Sequence, residues 1–332
     1  MMRFRTQHAV ILSIVVSLFA AGPRAAVAQS AGVSAYPERP VRLIVPFPPG
    51  AANDMLGRAV GAQLSQRLGQ SFVVDNRAGA GGVLGTAIAA VAPADGYTLV
   101  LVPASHAINA SLVKKPRFDA IKDFAPISRI ATGAYMLVVS PGFGPKSVSE
   151  LISVARSKPG AINYASAGVG NATHLLGEMV SSMAGIQMTH IPYKGGTPAL
   201  VDVMAGRADM YFGTVAATQA LARAGKVRAL AVTSAKRARA VPDVPTISES
   251  GLPGFDGVGW WGILAPNQVP EAIVEKLNRE IVAILSEQQM QQWLTKQGFE
   301  PAPTSSQAFE RFIAAEVVKW GKLVAASGAT VD

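Results

Sequence analysis

Val-Arg-Leu-Ile-Val-Pro-Phe-Pro-Pro-Gly-Ala-Ala-Asn-Asp, residues 41–54, is the stretch on which the fold turns. The β-branched run Val41–Val45 stops at Pro46, which has no N–H to give a ladder, and a stiff Pro/Gly loop follows. The spacing then predicts a helix opening near Asn53, with Leu56, Val60, Leu64 and Leu68 on one stripe and Gly69 beyond its end. A strand that ends in a rigid loop above a helix N-terminus points backbone N–H groups at one spot, where the helix dipole favours negative charge. Such a unit can hold a carboxylate without a charged side chain.

The same grammar recurs. Phe72–Val74 leads into the Gly-rich run Asp75–Gly82 and a helix carrying Val83, Ala87, Ile88 and Val91. Thr98–Val102 leads into Pro103-Ala104-Ser105-His106, and Ile162–Tyr164 into the Gly/Ser loop Ser166–Thr173, followed by His174 and a helix with Leu175, Met179 and Met183. Thr189–Ile191 leads into Pro192–Thr197, where Thr197 reads as a cap with Pro198 at the first helical position. A repeated strand, loop and helix argues an α/β fold with mostly parallel sheets, whose ligands sit above the strands' carboxyl ends.

The two ends frame this core. Arg3 and Arg5 precede the apolar stretch Ala9–Ala21, which is too short to span a bilayer comfortably, and Ala26-Val27-Ala28 supplies a small-x-small cleavage site. Residues 1–28 are therefore expected to be an export signal cleaved after Ala28, placing the chain in the periplasm. The sequence has no Cys, which removes disulfides, thiol catalysis, Cys-based metal sites and a lipoprotein anchor together. About 300 remaining residues can bury a large core without staples and should form two domains. Three charges of the formal +9 leave with Arg3, Arg5 and Arg24, and the remaining Lys and Arg are scattered, so the surface suits small anions better than nucleic acid.

Further along, Tyr135–Ser140 reads as an apolar strand, Ser147-x-x-Glu150 as a capping box, and Ala208–Phe212 and Arg228–Thr233 as strands. Pro242–Gly254 reads as a surface excursion, and Val258–Leu264 as an aromatic strand with Trp260 and Trp261. Pro270 starts a long amphipathic helix (Ile273, Leu277, Ile281, Leu285), and Thr304-x-x-Gln307 is expected to cap the last one. The stretches near 132–139 and 257–264 are candidate crossings between two lobes that hinge. This sets one discontinuous lobe at 36–132 and 256–332 and the other at 133–255.

Six motifs occur in order: Tyr36-Pro37-x-Arg39-Pro40-Val41-Arg42, Pro46-Phe47-Pro48-Pro49-Gly50, Asn76-Arg77-x-Gly79-Ala80-Gly81-Gly82, Ala94-Asp95-Gly96-Tyr97-Thr98-Leu99, His190-x-Pro192-Tyr193-Lys194-Gly195 and Pro242-Asp243-Val244-Pro245-Thr246. Together they resemble the Bug-type periplasmic solute receptors of tripartite tricarboxylate transporters, over essentially the whole chain beyond residue 28. The resemblance implies a two-lobed periplasmic binding protein of type II topology. Two mostly parallel sheets flanked by helices would close a cleft on a small carboxylate, and a two-subunit membrane permease would be the partner. It implies a monomer with no cofactor and no catalysis. Two departures stand out. Ala51 replaces the usual second Gly after Pro-Pro-Gly, and Gly213-Thr214 stands where many members carry an Asp, which argues against an amino-acid ligand.

The resemblance places ligand contacts on the loop Pro46–Asp54 (Phe47, Pro49, Gly50, Ala51, Asn53, Asp54), on Ser105 and His106, and on Ser166, Gly168, Gly170, Asn171 and Thr173. Tyr193, Gly195, Thr197 and Thr214 complete the expected set. Asp54 would repel an anion, so its expected task is to hold the loop's N–H groups or a water. Arg77 either braces the Gly-rich turn or meets an anion, and His174 is either a structural residue or a neutraliser of a carboxylate. A nucleotide loop is excluded, because Leu84 stands where a third glycine is needed after Gly79 and Gly81 and no Gly-Lys-Ser/Thr occurs. Against an exported hydrolase, the sequence has neither a Gly-x-Ser-x-Gly elbow nor a His-Glu-x-x-His helix, which leaves only a triad assembled in space. A receptor feeding a sensor or chemoreceptor would have the same fold and pocket.

Overall fold

The computed structural model describes residues 35–50, 52–115, 117–193, 195–327 and 330. Residues 1–28, the expected export signal, Ala51 and Lys194 lie outside them. Pro37–Asp332 forms one compact unit. Among the described residues, no helix is long and apolar enough to cross a membrane.

The opening stretch forms β1 (Val41–Val45) and α1 (Ala52–Leu68), and Leu56, Val60 and Leu64 bury the stripe. The chain continues through β2 (Phe72–Asn76), α2 (Val83–Ala90), β3 (Thr98–Pro103), α3 (Ser105–Leu112) and a 16-residue β4 (Phe124–Val139). There follow α4 (Val148–Ser157), β5 (Asn163–Ser166), α5 (Ala172–Ala184), β6 (Thr189–Pro192), α6 (Gly196–Met204), β7 (Met210–Thr214), α7 (Val215–Arg223) and β8 (Arg228–Val232). The last elements are β9 (Val258–Pro266), α8 (Glu271–Ser286), α9 (Gln288–Lys296), β10 (Glu300–Pro301) and α10 (Ser306–Ser327).

Three expectations are corrected. The strand at Tyr135 begins eleven residues earlier, at Phe124, where Pro126 and Ser128 interrupt the alternation at a register shift. The helix after Pro270 forms as expected, carries Ile273 to Leu285 and ends at the extended Glu287. Ser305, not Thr304, caps the last helix, accepting from the Ala308 amide, because the Thr304 hydroxyl accepts from the Arg129 amide of β4. Val91 is 81 % exposed, past the end of α2. The Ser147 box forms as expected: its hydroxyl accepts from the Glu150 amide, while the Glu150 carboxylate accepts from the Lys146 amide.

Strand pairing decides where a site can be. β2, β1 and β3 are parallel, then β9 and β4 follow antiparallel to their neighbours. Beyond Ala134, β4 leaves β9 and pairs antiparallel with β7 and β8, while β7, β5 and β6 run parallel. In the first half β4 therefore runs the same way as β1, β2 and β3, and in the second half it opposes β5, β6 and β7. Both sets of parallel strands end at the junction. The register agrees: Pro103 faces Trp261, which faces Ala131, and Thr214 faces Tyr135. One helix-covered core runs through both halves, including Ile44, Leu112, Tyr164, Phe212, Trp260 and Trp320. A second cluster with Val138, Ala199 and Tyr211 covers the opposite face of the second half.

Candidate functional site

The loops after β1, β2 and β3 and those after β5, β6 and β7 all open at the junction, where the topology of such sheets puts ligands. The first half is braced by a charge. Asp54, 5 % exposed, accepts from the Gly50 amide at 3.0 Å, from Asn76 Nδ2 at 3.0 Å and from the Arg58 guanidinium, whose closest contact is 2.9 Å. Asn76 Nδ2 also donates to the Phe47 carbonyl. Burial works to raise the Asp54 carboxyl, but these donors outweigh it and hold it below the usual carboxylate range. The loop thus keeps its shape through one ionised side chain whose oxygens are spoken for.

Glycine supplies the fit. The Phe47 ring lies against Gly82, where an added Cβ would stand 3.1 Å from the ring and φ is +98°. Pro48, Pro49 and Gly50 are exposed. Asn53 is buried and accepts from Trp261 Nε1 at 2.8 Å, tying the first turn of α1 to the strand that flanks the junction. Arg77 braces, donating to Asp75.

The second half uses neutral groups. Asn171 caps α5, accepting from the Thr173 amide, and the Thr173 hydroxyl accepts from the Ala167 amide at 2.8 Å. Ser166 is fully buried; its hydroxyl accepts from the Gly168 amide and meets His190 Nε2 at 2.6 Å. The Gly170 amide donates to His174 Nδ1 at 3.1 Å, and the Asn171 amide to the Gly168 carbonyl. Most N–H groups that the sequence suggests as free are thus spent on shaping the loop. Among the described residues, the amides of Val169 and Ala172 keep no such partner. Burial lowers both His174 and His190, the latter to about 4, so both rings are neutral near pH 7.

Two expected contacts sit differently. His106 is 2 % exposed, stacked on Phe118 and edge-on to Phe124, with Nε2–H donating to the Ala120 carbonyl. Burial lowers it to about 4; it is a neutral core residue and does not face the loops as an anion partner. Thr197 is not a cap, because α6 starts two residues earlier than expected, at Gly196 behind Gly195 at φ +124°, and the Thr197 side chain is exposed. Ser105 starts α3 and is 9 % exposed. Tyr193 donates to Asp202, and Thr214 caps α7 by accepting from the Ala217 amide. At Gly213 a Cβ would meet Thr218 Cγ2 at 2.3 Å, so a larger residue there requires Thr218 to move.

The halves touch through small residues. A Cβ on Gly170 would fall 2.0 Å from Leu112 of α3, and one on Gly298 would fall 2.9 Å from the Ala216 amide of α7. Asn76, Arg58, Trp261, Tyr164 and His190 all support the site, and the sequence reading gives none of them a site role, although Asn76 and His190 each open a motif. Arg58 stands four residues after Asp54 on one helix, a readable pair. The Trp261–Asn53 bond spans 208 residues and leaves no local signal. A depression of about 480 Å³ lies elsewhere, between α7 and β8 at the end of β4 remote from the junction, and its Arg223 and Arg228 donate to backbone carbonyls.

Comparison with known proteins agrees with this geometry. The family described as "Tripartite tricarboxylate transporter family receptor" matches residues 56–329. BugT of Bordetella pertussis is 35 % identical over 96 % of this chain and 98 % of its own. A UPF0065 protein from the tcbD-tcbE intergenic region of Pseudomonas sp. strain P51 is 36 % identical over 88 % of this chain and 87 % of its own. Among solved structures, an R. palustris protein with adipate is 36 % identical, with TM-score 0.83 over 89 % of this chain and 100 % of that one. MatC from Rhodopseudomonas palustris with bound malate is 31 % identical, with TM-score 0.78 over 87 % of this chain and 100 % of that one. The fold is thus the two-lobed α/β fold of periplasmic binding proteins, and the chain belongs to the Bug/TctC family of tripartite tricarboxylate transporter solute receptors, which are binding proteins rather than enzymes.

Proposed function

We propose that this chain is an exported receptor that captures a small dicarboxylate between two closing lobes and delivers it to a two-subunit permease. The observation that carries the reading is the pair of opposed carboxyl edges, lined by amides, hydroxyls and glycines, with Asp54 already neutralised by its donors. Relatives solved with adipate and malate support a ligand with two carboxylates. In this reading residues 1–28 are removed on export, and the lobes divide at the point where β4 passes from β9 to β7. The first lobe offers Phe47–Asn53 and Ser105 to one end of the ligand. The second offers Ser166–Thr173 and the starts of α6 and α7 to the other.

Magnitudes allow it. Micromolar affinity requires about 8 kcal/mol, and each amide or hydroxyl bond to a carboxylate contributes ~1.5–3 kcal/mol before ordering costs. The test is thermal unfolding of the refolded, ligand-free chain with C4 to C6 dicarboxylates and their diamides. A ligand at 100 times its Kd adds about 2.7 kcal/mol, several degrees for a chain of this size. The expected result is a shift with one diacid and none with its diamide. Equal shifts with acid and amide, or none across the panel, would overturn the reading.

A further inference from the structure

Under the second-lobe loop lies a stack of three rings that no ligand contact requires. The Tyr164 ring of β5 packs on His190 of β6 (centroids 4.9 Å), and His190 packs on His174 of α5 (3.9 Å, 22° between planes). The Tyr164 hydroxyl donates to the Glu178 carboxylate, and His174 Nε2 faces that same carboxylate at 3.7 Å. Gly177 makes the room, since a Cβ there would stand 2.4 Å from the Tyr164 ring. Each histidine then reaches up into the loop: His174 Nδ1 takes the Gly170 amide, and His190 Nε2 meets the Ser166 hydroxyl that takes the Gly168 amide.

We infer that His174 and His190 are positioning residues that hold loop 166–171 in its ligand-binding shape only while both rings are neutral, so that mild acid loosens the loop and releases the ligand. The chemistry is explicit. A proton on His174 Nδ1 turns an acceptor into a donor facing the Gly170 N–H, and that bond cannot survive. A proton on His190 puts a cation 3.9 Å, ring to ring, from a second imidazole. The groups around the pair are few. α5 brings Glu178, β5 brings Tyr164, and β7 brings apolar Met210 and Phe212 to the same core. On α10, which also packs on α5, Glu316 and Lys319 pair with each other. Glu178 favours a cation at His174, but its carboxylate is shared with the Tyr164 hydroxyl.

The sign follows from the burial of the rings. In the ordered loop both are depressed below 6.5, His190 to about 4, whereas a released loop lets them titrate normally. Ordering therefore weakens as pH falls below 6.5, and the part that His190 supplies is gone near 4. The inference rests on the proposed dicarboxylate site, and its test has an arm that does not.

The first arm follows the Gly168 and Gly170 amide signals of the ligand-free exported chain by NMR from pH 8 to 4.5. The expected result is an acid transition of both signals, with that of Gly170 abolished in His174→Asn and that of Gly168 in His190→Gln. Asn Oδ1 and Gln Nε2 can take the places of Nδ1 and Nε2. The second arm measures the Kd of succinate or adipate at pH 7.5 and 5.5. Wild type is expected to weaken about tenfold beyond the doubly substituted H174N/H190Q chain, a factor of ten being one pKa unit. That double variant should bind near wild-type strength at pH 7.5, whereas His174→Ala should bind weakly at both. Loop amides that stay fixed while the rings titrate would overturn the inference, as would parallel pH slopes in wild type and double variant. If neither acid binds, the dicarboxylate reading fails, and the amide signals still decide the loop.

Discussion

The loop after β1 and the loop after β5 occupy equivalent places, each between a parallel strand and a helix N-terminus at the junction. They are built with opposite chemistry. Three prolines and one ionised carboxylate fix the first, since Asp54 gathers the Gly50 amide, Asn76 and Arg58. Glycines, hydroxyls and two neutral imidazoles fix the second. An anion receptor gains from this division. The ionised group is saturated by its own donors, and the second loop, shaped by neutral groups, keeps the Val169 and Ala172 amides at a helix N-terminus for the ligand. The comparison also implies unequal robustness, because proline rigidity is covalent and a hydrogen-bonded glycine loop is not.

The largest effect should come from breaking the second loop where it touches the first half. Gly170→Ala places a Cβ 2.0 Å from Leu112 Cδ2 at φ +70°, so both a clash and backbone strain arise. Urea unfolding should show a loss of roughly 2–4 kcal/mol, and ligand binding should vanish. Combining it with Leu112→Ala should not restore stability, because that change opens its own cavity, but it should restore part of the binding. Gly168→Val is the milder partner: its Cβ meets only the Tyr193 carbonyl, at 3.4 Å, with φ at +133°. It should keep the fold and lose the ligand. Normal binding by Gly168→Val would remove this loop from the site.

Breaking the first loop should cost less. Asp54→Ala removes the charged acceptor shared by the half-buried Asn76 amide, which keeps the Phe47 carbonyl, the exposed Gly50 N–H and Arg58, and stability should fall by about 2 kcal/mol in urea unfolding. Acid separates the two loops. Asp54 is held below 3.8, so its contribution is complete above that value and is lost only as pH falls through the lowered one. His190 loses its contribution between 6.5 and about 4, and His174 begins to lose its own below 6.5. Titration of the Gly50 and Gly170 amides at pH 4.5 should find the first loop intact and the second loosened. Simultaneous transitions would erase the distinction.

How much of this the sequence discloses follows the same divide. Val41–Asp54 yields its strand, its loop and its helix because each signal is local: a β-branched run, three prolines, an i,i+4 apolar stripe. The Gly/Ser loop is equally legible, and Asn171 caps where its residue type says it should. Illegible are the groups that long-range packing brings in. His106 looks like an anion partner by residue type, and only burial with Phe118 and Phe124 assigns it to the core. Thr197 and Thr304 look like caps, but helix starts shift by one or two residues once a neighbouring strand claims a hydroxyl or a glycine supplies the turn. His190 opens one of the six motifs, yet its role depends on Ser166, 24 residues away.

The smallest effect isolates the link between the loops and the crossing strands. Trp261 is 3 % exposed, its ring lies edge-on to Phe299, and its N–H reaches Asn53 at the foot of the first loop. Trp261→Phe keeps most of the apolar volume and removes that one donor, leaving Asn53 Oδ1 buried and unpaired. Stability should drop by about 1–2 kcal/mol. If Trp261 only packs, ligand affinity will not change. If it aligns the first turn of α1 for the ligand, affinity will fall by a further few-fold, and Asn53→Ala in the same background will add little, because the two groups act as one pair. A full additive loss in the double variant would instead mean that Asn53 meets the ligand directly, and the rigid first loop would then bind through a side chain as well as through its backbone.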